Sequence, residues 1–406
     1  MTSSKVNKMD TLYEYQAEVL DRVSDRFYRR LYHQLNWDER FLGITGLRGT
    51  GKTTMLLQYL KYSAPERNNS LYVTADHPWF YDHTLLELAR QFRKYDGKLL
   101  LIDEIHRYPN WSRELKNIYD GFPDLQVVFT ASSLLDILKG EADLSRRALT
   151  SELTGLSFRE YLELRHQQTF PSCTLNEIIN DAGSIANSVL AEIKPIPVFN
   201  DYLKYGYFPF SVTRSNESFQ RLLSQVINTV MEVDLQIVED YSASNIIKLK
   251  KLLGVIAESV PFEPNISKIA QRLEMGRDTV KTYLWNLDRA RLLNLLSRSA
   301  SGMAALRKPD KIYLENSNFS YALTPSPEKG TIRETFFLNQ LRNAGHKVEL
   351  AKQGDFVIDE TYTFEIGGSS KDTSQISGEE NAWLALDDLE HPYLNRIPLW
   401  LFGLLY

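Results

Sequence analysis

The sequence predicts an α/β chain: a parallel sheet with helices on both faces, then a helical region, then a smaller α/β region. Three observations carry this reading. Four short apolar runs, Phe41–Thr45, Ser70–Thr74, Leu99–Asp103 and Gln126–Thr130, are each followed by turn residues or a helical pattern, and buried strands spaced by helical crossovers form parallel sheets. From Leu175 the strand signals give way to helical periodicity, and near residue 300 short strands and one long helix, Ile332 to Ala344, return. At about 150 residues each, the 406 residues make roughly two to three domains. The boundaries fall at residues 1–165, 166–300 and 301–406.

Composition narrows the class. Hydrophobic residues at 43% and charged residues at 24% exclude a disordered, collagen-like or fibrous chain. A net charge of −5 excludes a polycation built to coat nucleic acid, so any such site is a local patch. The single cysteine, Cys173, excludes an intramolecular disulfide and a Cys-rich zinc site and suits a reducing compartment. The opening residues lack an apolar core, and the longest apolar run, Ile397 to Tyr406, is far short of the ~20 residues that span a bilayer. A cytoplasmic protein without a membrane partner is expected, with that last run as a buried strand.

The chain opens with an amphipathic stretch, Tyr13 to Leu35, read as helical. After the first strand comes Gly46-Leu47-Arg48-Gly49-Thr50-Gly51-Lys52-Thr53-Thr54, which fits G-x-x-x-x-G-K-[ST] between a strand and a helix expected over Thr53–Tyr62. Glycines at those positions let backbone N–H groups wrap β- and γ-phosphates, and the helix start adds partial positive charge. Lys52 is placed to pair with the phosphates and the Thr53 hydroxyl to ligate Mg²⁺. ATP with Mg²⁺ is the cofactor this implies.

Fifty-one residues beyond Lys52, Leu99-Leu-Leu-Ile-Asp103-Glu104 is an apolar strand ending in two acids. At the carboxyl end of a central parallel strand Asp103 completes the Mg²⁺ shell, while Glu104 polarises an attacking water, the assignment that favours hydrolysis over binding alone. Asp76 ends another strand at the same sheet edge and is a further candidate. Ser132 and Ser133, after the next strand, either sense the γ-phosphate or hold the water, or else cap a helix. In Ser145-Arg146-Arg147 an arginine either stabilises γ-phosphate charge, in cis or from a neighbouring subunit, or belongs to an exposed pair on a helix.

Gly46–Thr54, Leu100–Trp111 and Phe129–Tyr161 resemble the bacterial and archaeal AAA-superfamily ATP-binding proteins, in which an ATPase core precedes a domain of uncharacterised function. The resemblance implies a P-loop NTPase sheet of the AAA type. It also implies Arg147 as the catalytic arginine, matching the family's Gly-Arg before Leu156-Ser-Phe-Arg-Glu-Tyr161; here Arg146 stands where that glycine is usual.

Asn265 to Leu273, the turn Glu274-Met-Gly276 and Arg277 to Leu287 read as a helix-turn-helix at 265–287, with Arg291–Arg298 as the strand of a winged helix. Residues 245–300 hold ten Lys or Arg against five acids, leaving 37 against 47 elsewhere. Arg277, Thr279, Lys281 and Thr282 are expected on the outer face, for DNA contact or for protein docking, and Val280, Tyr283, Leu284 and Leu287 inside. Lys248, Lys250 and Lys251 form a basic run whose default is a solvated helix face. The aromatic cluster Tyr202, Tyr205, Tyr207, Phe208 and Phe210 reads as a buried hydrophobic hinge or an interdomain contact.

In the last region Glu334 lies on a helix, and Asp355 and Glu365 lie ten residues apart on strands joined by a turn at Asp359-Glu360. Two carboxylates at one edge suit a second Mg²⁺ site. The pattern resembles the restriction-endonuclease-like PD-(D/E)xK superfamily, with Glu334 as the acid of its first helix. That resemblance calls for lysine at 367; the residue there is Gly367, so either Lys371 substitutes from four residues on or the fold is kept for nucleic-acid binding or structure. His77, His106 and His346 fall into no metal-ligand spacing and read as surface or hydrogen-bonded residues.

The chain is therefore expected to bind and hydrolyse Mg-ATP as a nucleotide-dependent switch coupled to DNA, with homo-oligomers where an arginine acts between subunits. The competing reading is a nucleic-acid-binding or nuclease effector in which ATP only regulates assembly. A third is an ATP-binding interaction module that turns over slowly or not at all.

Overall fold

The computed structural model describes residues 9–65, 67–131, 144, 146–235, 241–258, 261, 263–298 and 309–406. The chain divides into two compact units, Met1–Thr154 and Gly155–Tyr406.

In the first unit β1 (Phe41–Thr45), β2 (Ser70–Thr74), β3 (Leu99–Asp103), β4 (Gln126–Thr130) and β5 (Leu149–Glu152) form one parallel sheet in the order β2-β3-β4-β1-β5. The first four lie at the residues expected, because both faces of each run are apolar. Leu100, Ile102, Val127 and Phe129 pack with Leu88, Phe92, Leu115 and Ile118 on one side. Leu42, Ile44, Leu101 and Val128 pack with Met55, Leu56 and Leu60 on the other. Successive strand residues alternate faces, so an unbroken apolar run marks a strand covered twice. The fifth strand was not expected: Leu149 and Thr150 are exposed, so Leu-Thr-Ser-Glu carries no apolar pattern.

The opening stretch is two helices, Asp10–Asp21 and Arg30–Gln34, rather than one over Tyr13–Leu35. The cause is Arg29. Its backbone is extended, and its buried guanidinium donates to the carbonyls of Thr50 (2.6 Å) and Thr154 (2.8 Å), contacts that a continuous helix would not make.

In the second unit β6 (Leu293–Leu296) and β7 (Lys311–Leu314) form an antiparallel pair. The strands β8 (Val348–Leu350), β9 (Phe356–Ile358), β10 (Tyr362–Gly367), β11 (Ala382–Leu386) and β12 (Arg396–Pro398) form a sheet of order β12-β11-β10-β9-β8. Its β8-β9-β10 half is antiparallel and its β10-β11-β12 half parallel. One core holds Ile178, Phe199 and Tyr202 from the region 166–300 together with Phe336, Phe337, Phe364 and Trp400 from 301–406. Tyr202 is buried there and donates to the Leu156 carbonyl at 2.7 Å; Tyr207 and Phe208 are likewise buried.

Helices Ile266–Arg272 and Arg277–Arg289 stand where the two helices around Glu274–Gly276 were expected. Val280, Tyr283, Leu284 and Leu287 are buried, and Arg277, Thr279 and Thr282 are exposed. The long helix spans Lys329–Asn343. The C-terminal run is strand only at Arg396–Pro398; Leu399–Leu404 is a buried 3₁₀ helix, because an unbroken apolar run marks burial without choosing between strand and helix. Among the described residues no helix is long and apolar enough to cross a membrane.

Candidate functional site

The turn after β1 is made by its glycines. Gly46, Gly49 and Gly51 have φ of 140°, 87° and 98°, a region closed to most L-residues. A Cβ on Gly46 would stand 2.2 Å from the Leu153 carbonyl oxygen. The helix Lys52–Gln58 starts directly from Gly51. Lys52 is buried, and its Nζ donates to the carbonyls of Gly46 (2.9 Å) and Leu47 (3.1 Å). Thr50 is buried and donates to the Leu47 carbonyl at 2.9 Å, and Arg29 holds its carbonyl from behind. Thr53 and Thr54 are exposed on the first helical turn.

With β4 between β1 and β3, the glycine-rich loop and the two acids are two strand spacings apart, about 9–10 Å. Side chains close that gap. Thr53 Oγ1 donates to Asp103 Oδ2 at 2.7 Å, the Tyr72 hydroxyl donates to the same oxygen at 3.0 Å, and Thr130 Oγ1 is bonded to Asp103 Oδ1. Thr130 Oγ1 also accepts the Glu104 N–H at 2.9 Å. Burial pushes the Asp103 carboxyl upward, and the hydroxyls of Thr130 and Thr53 pull against it. The hydroxyl of Thr53 and the carboxylate of Asp103 are hard oxygen donors side by side, the set that suits Mg²⁺.

Glu104 has a left-handed backbone, φ 53°. Its Oε2 lies 3.4 Å from Arg107 Nε, 3.6 Å from Arg48 Nη2 and 3.6 Å from His106 Nε2. Arg107 Nη1 donates in turn to Asp76 Oδ2 at 3.1 Å. His106 is buried rather than on the surface, and burial, with Lys52, Arg48 and Arg107 nearby, brings its imidazole down to about 3; it is neutral at pH 7.

Lys52, Thr53, Asp103 and Glu104 thus gather at one end of the sheet, and Asp76 joins them through Arg107. Arg147 does not. It makes a two-point pair with Asp120, Nε to Oδ1 at 3.0 Å and Nη2 to Oδ2 at 3.1 Å. The neighbouring Tyr119 carbonyl is held by Arg40 just before β1, at the opposite end of that strand from the loop. Ser132, Ser133 and Ser145 lie outside the described residues. Sequence reasoning missed Arg29, Thr130, Arg107 and the burial of His106. Thr130, as the last residue of the strand between loop and acids, was the one with a signal.

In the second unit Glu334 accepts from the Tyr313 hydroxyl at 2.6 Å, with Lys311 Nζ at 3.8 Å. Asp355 Oδ2 accepts the Ile366 N–H at 2.8 Å, and Glu365 Oε1 pairs with Lys371 Nζ. Among the described residues no group of three His, Cys, Asp or Glu stands together as a metal cluster. Each of the three acids expected there has a protein partner, a phenol at Glu334, a backbone amide at Asp355 and an ammonium at Glu365, and the charge of Asp355 acts on both Glu334 and Glu365.

Residues 38–162 match the model of an AAA domain, and residues 196–328 match a domain of unknown function (DUF8612). An uncharacterized protein of Methanocaldococcus jannaschii is 26% identical over 322 residues, 76% of this chain and 66% of that protein. One of Haemophilus influenzae is 23% identical over 263 residues, 61% of this chain and 60% of that protein. The chain thus spans less than two thirds of either relative. A solved structure, the Walker-type ATPase PABY2304 of Pyrococcus abyssi, aligns with a TM-score of 0.44 at 11% identity, covering 74% of this chain and 96% of that one. Residues 38–162 are thus similar to an AAA domain, and the five-stranded parallel sheet with its glycine-rich loop lies within that match.

Proposed function

We propose that the chain binds and hydrolyses Mg-ATP as a nucleotide-dependent switch. The observation that carries this reading is the bonded series Thr53–Asp103–Thr130–Glu104, which joins the glycine-rich loop to both acids. The N–H groups of Gly46 to Thr54, with Leu47, Arg48, Gly49, Thr50 and Gly51 between, cradle the phosphates, and Lys52 leaves its loop carbonyls to pair with phosphate oxygens. Thr53 and Asp103 would hold Mg²⁺, which would supply charge neutralisation on the phosphates. Glu104 orients and polarises the attacking water, giving ADP and phosphate. Arg147, at the far end of β1, serves the phosphate of a neighbouring copy in a homo-oligomer. Phosphate release is the test: wild type no faster than Glu104→Gln and Lys52→Ala would reject hydrolysis.

A second reading is a nucleic-acid effector in which ATP regulates assembly. It is favoured by the two helices Ile266–Arg272 and Arg277–Arg289 followed by the β6–β7 hairpin, an arrangement we read as a winged helix. Exposed Arg277, Thr279 and Thr282, with Lys281 paired to Asp278 at 3.0 Å, face DNA in this reading. Binding should weaken with salt, since phosphate contacts release counterions; a flat, absent response in a filter-binding titration would remove DNA. Cleavage involving Glu334, Asp355 and Glu365 is tested on plasmid and single-stranded DNA with Mg²⁺ or Mn²⁺, with Glu365→Ala as the control.

A further inference from the structure

We propose that Arg107 is a positioning residue for Glu104 and that Asp76 anchors Arg107. This rests on the reading that the first unit hydrolyses ATP.

Glu104 sits one residue beyond the end of β3, where its left-handed backbone takes it out of the strand's alternation. Its amide is fixed by Thr130, but its side chain needs other support. Arg107, Arg48 and His106 all approach Oε2, and that oxygen is buried with no hydrogen-bond partner. Oε2 is therefore the end of the carboxylate held by charge, at 3.4–3.6 Å from these groups, and Oε1 is the end we assign to water.

The three neighbours differ in what they can do. His106 is buried and uncharged, so it shapes the site without fixing a charge. Arg48 belongs to the phosphate-binding loop, and a guanidinium there answers to phosphate oxygens as well. Arg107 is tied to the next strand: its Nη1 donates to Asp76 Oδ2 at 3.1 Å, while Asp76 Oδ1 accepts from Thr74 Oγ1 at 2.6 Å at the end of β2. Thr74, Asp76, Arg107 and Glu104 form a chain of contacts joining the ends of β2 and β3. A guanidinium suits this place because its planar fork presents Nε and Nη1 in fixed directions to two carboxylates at once, which a lysine ammonium on a flexible stem does not.

Arg107 and Asp76 are 32% and 47% exposed, and exposed pairs add little to stability. Their effect should appear in turnover and not in folding. In ATPase assays of the full chain, Arg107→Ala should lower kcat by about tenfold or more while KM for ATP stays within about twofold, the pattern of an interaction used after binding. Arg107→Lys, which keeps the charge but not the fork, should recover only a small part, and Asp76→Asn should fall between Arg107→Ala and wild type. Affinity for a fluorescent ATP analogue and the melting temperature should match wild type in all three. Wild type no faster than Glu104→Gln overturns the hydrolysis reading and this role with it. Wild type faster than Glu104→Gln but equalled by Arg107→Ala, or full recovery by Arg107→Lys, overturns the positioning role alone.

Discussion

The Lys371 ammonium pairs with Glu365 while the stem of the same lysine lies across Gly367. A Cβ at 367 would stand 2.6 Å from Lys371 Cβ and 2.7 Å from its Cγ, so glycine at 367 is what lets the lysine four residues on reach Glu365. The Glu365 side chain is 1% exposed and that of Lys371 32%. Breaking a fully buried ion pair costs about 3–5 kcal/mol; with one partner a third exposed, Lys371→Met should cost about 2–3 kcal/mol in urea unfolding. Adding Glu365→Gln should return much of that loss, and Gly367→Ala should destabilise in the same direction by displacing the lysine. A Lys371→Met protein as stable as wild type would show that the pair carries no weight.

Thr130 is the hinge of the first site. Its hydroxyl serves Asp103 and the Glu104 N–H together, in a fully buried position. Thr130→Val keeps the shape and β-branching but leaves a buried N–H and a carboxylate oxygen short of a partner, at about 1–3 kcal/mol. ATP turnover should fall with it, because both acids lose their register, and Thr130→Ser should restore most of both. Chemical denaturation and phosphate release on the three proteins measure this; unchanged turnover in Thr130→Val would count against the bonded series as the site's frame.

Much of the first unit was legible because its chemistry is local. Gly46 to Thr53 is one contiguous loop, and Leu99–Asp103 is an apolar run that can end only at the sheet's carboxyl edge. What stayed hidden depends on contacts far apart in sequence. His106 looks like any loop histidine until β3 and its neighbours close over it. Arg29, inside a good helical pattern, reaches carbonyls 21 and 125 residues away. In the second unit Glu334, Asp355 and Glu365 were legible as acids, and Lys371 as the lysine near Glu365, but not Tyr313, which arrives from β7 to bond Glu334. Leu149–Glu152 was missed for the opposite reason, as a strand whose exposed residues leave no pattern.

Glu334 gives the second unit a pH dependence. Burial, then the Asp355 charge, raises its carboxyl from 4.5 to about 7. The folded state therefore holds this proton more tightly than the unfolded chain does. The stabilisation is fully present below about pH 4.5 and is lost as pH rises through about 7, on the order of 3 kcal/mol in all. Unfolding free energies measured by urea from pH 4.5 to 8 should decline more steeply in wild type than in Glu334→Gln, which cannot titrate. Parallel curves would mean that Glu334 is ionised in the folded protein across the range.

His106 acts in the opposite sense and in the other unit. Its folded value, about 3, lies below the ordinary 6.5, chiefly through burial and then through Lys52, Arg48 and Arg107. Below pH 6.5 the unfolded chain takes up a proton that the folded one refuses, so the stability present above that value drains away as pH falls toward 3. The slope is about 1.4 kcal/mol per pH unit, roughly 2 kcal/mol between pH 6.5 and 5. His106→Gln removes the titrating ring and should flatten this acid limb by that amount, whatever it does to stability at neutral pH. A wild type and variant that lose stability in step on acidification would place a charged imidazole beside Glu104, and the neutral ring would have to be abandoned.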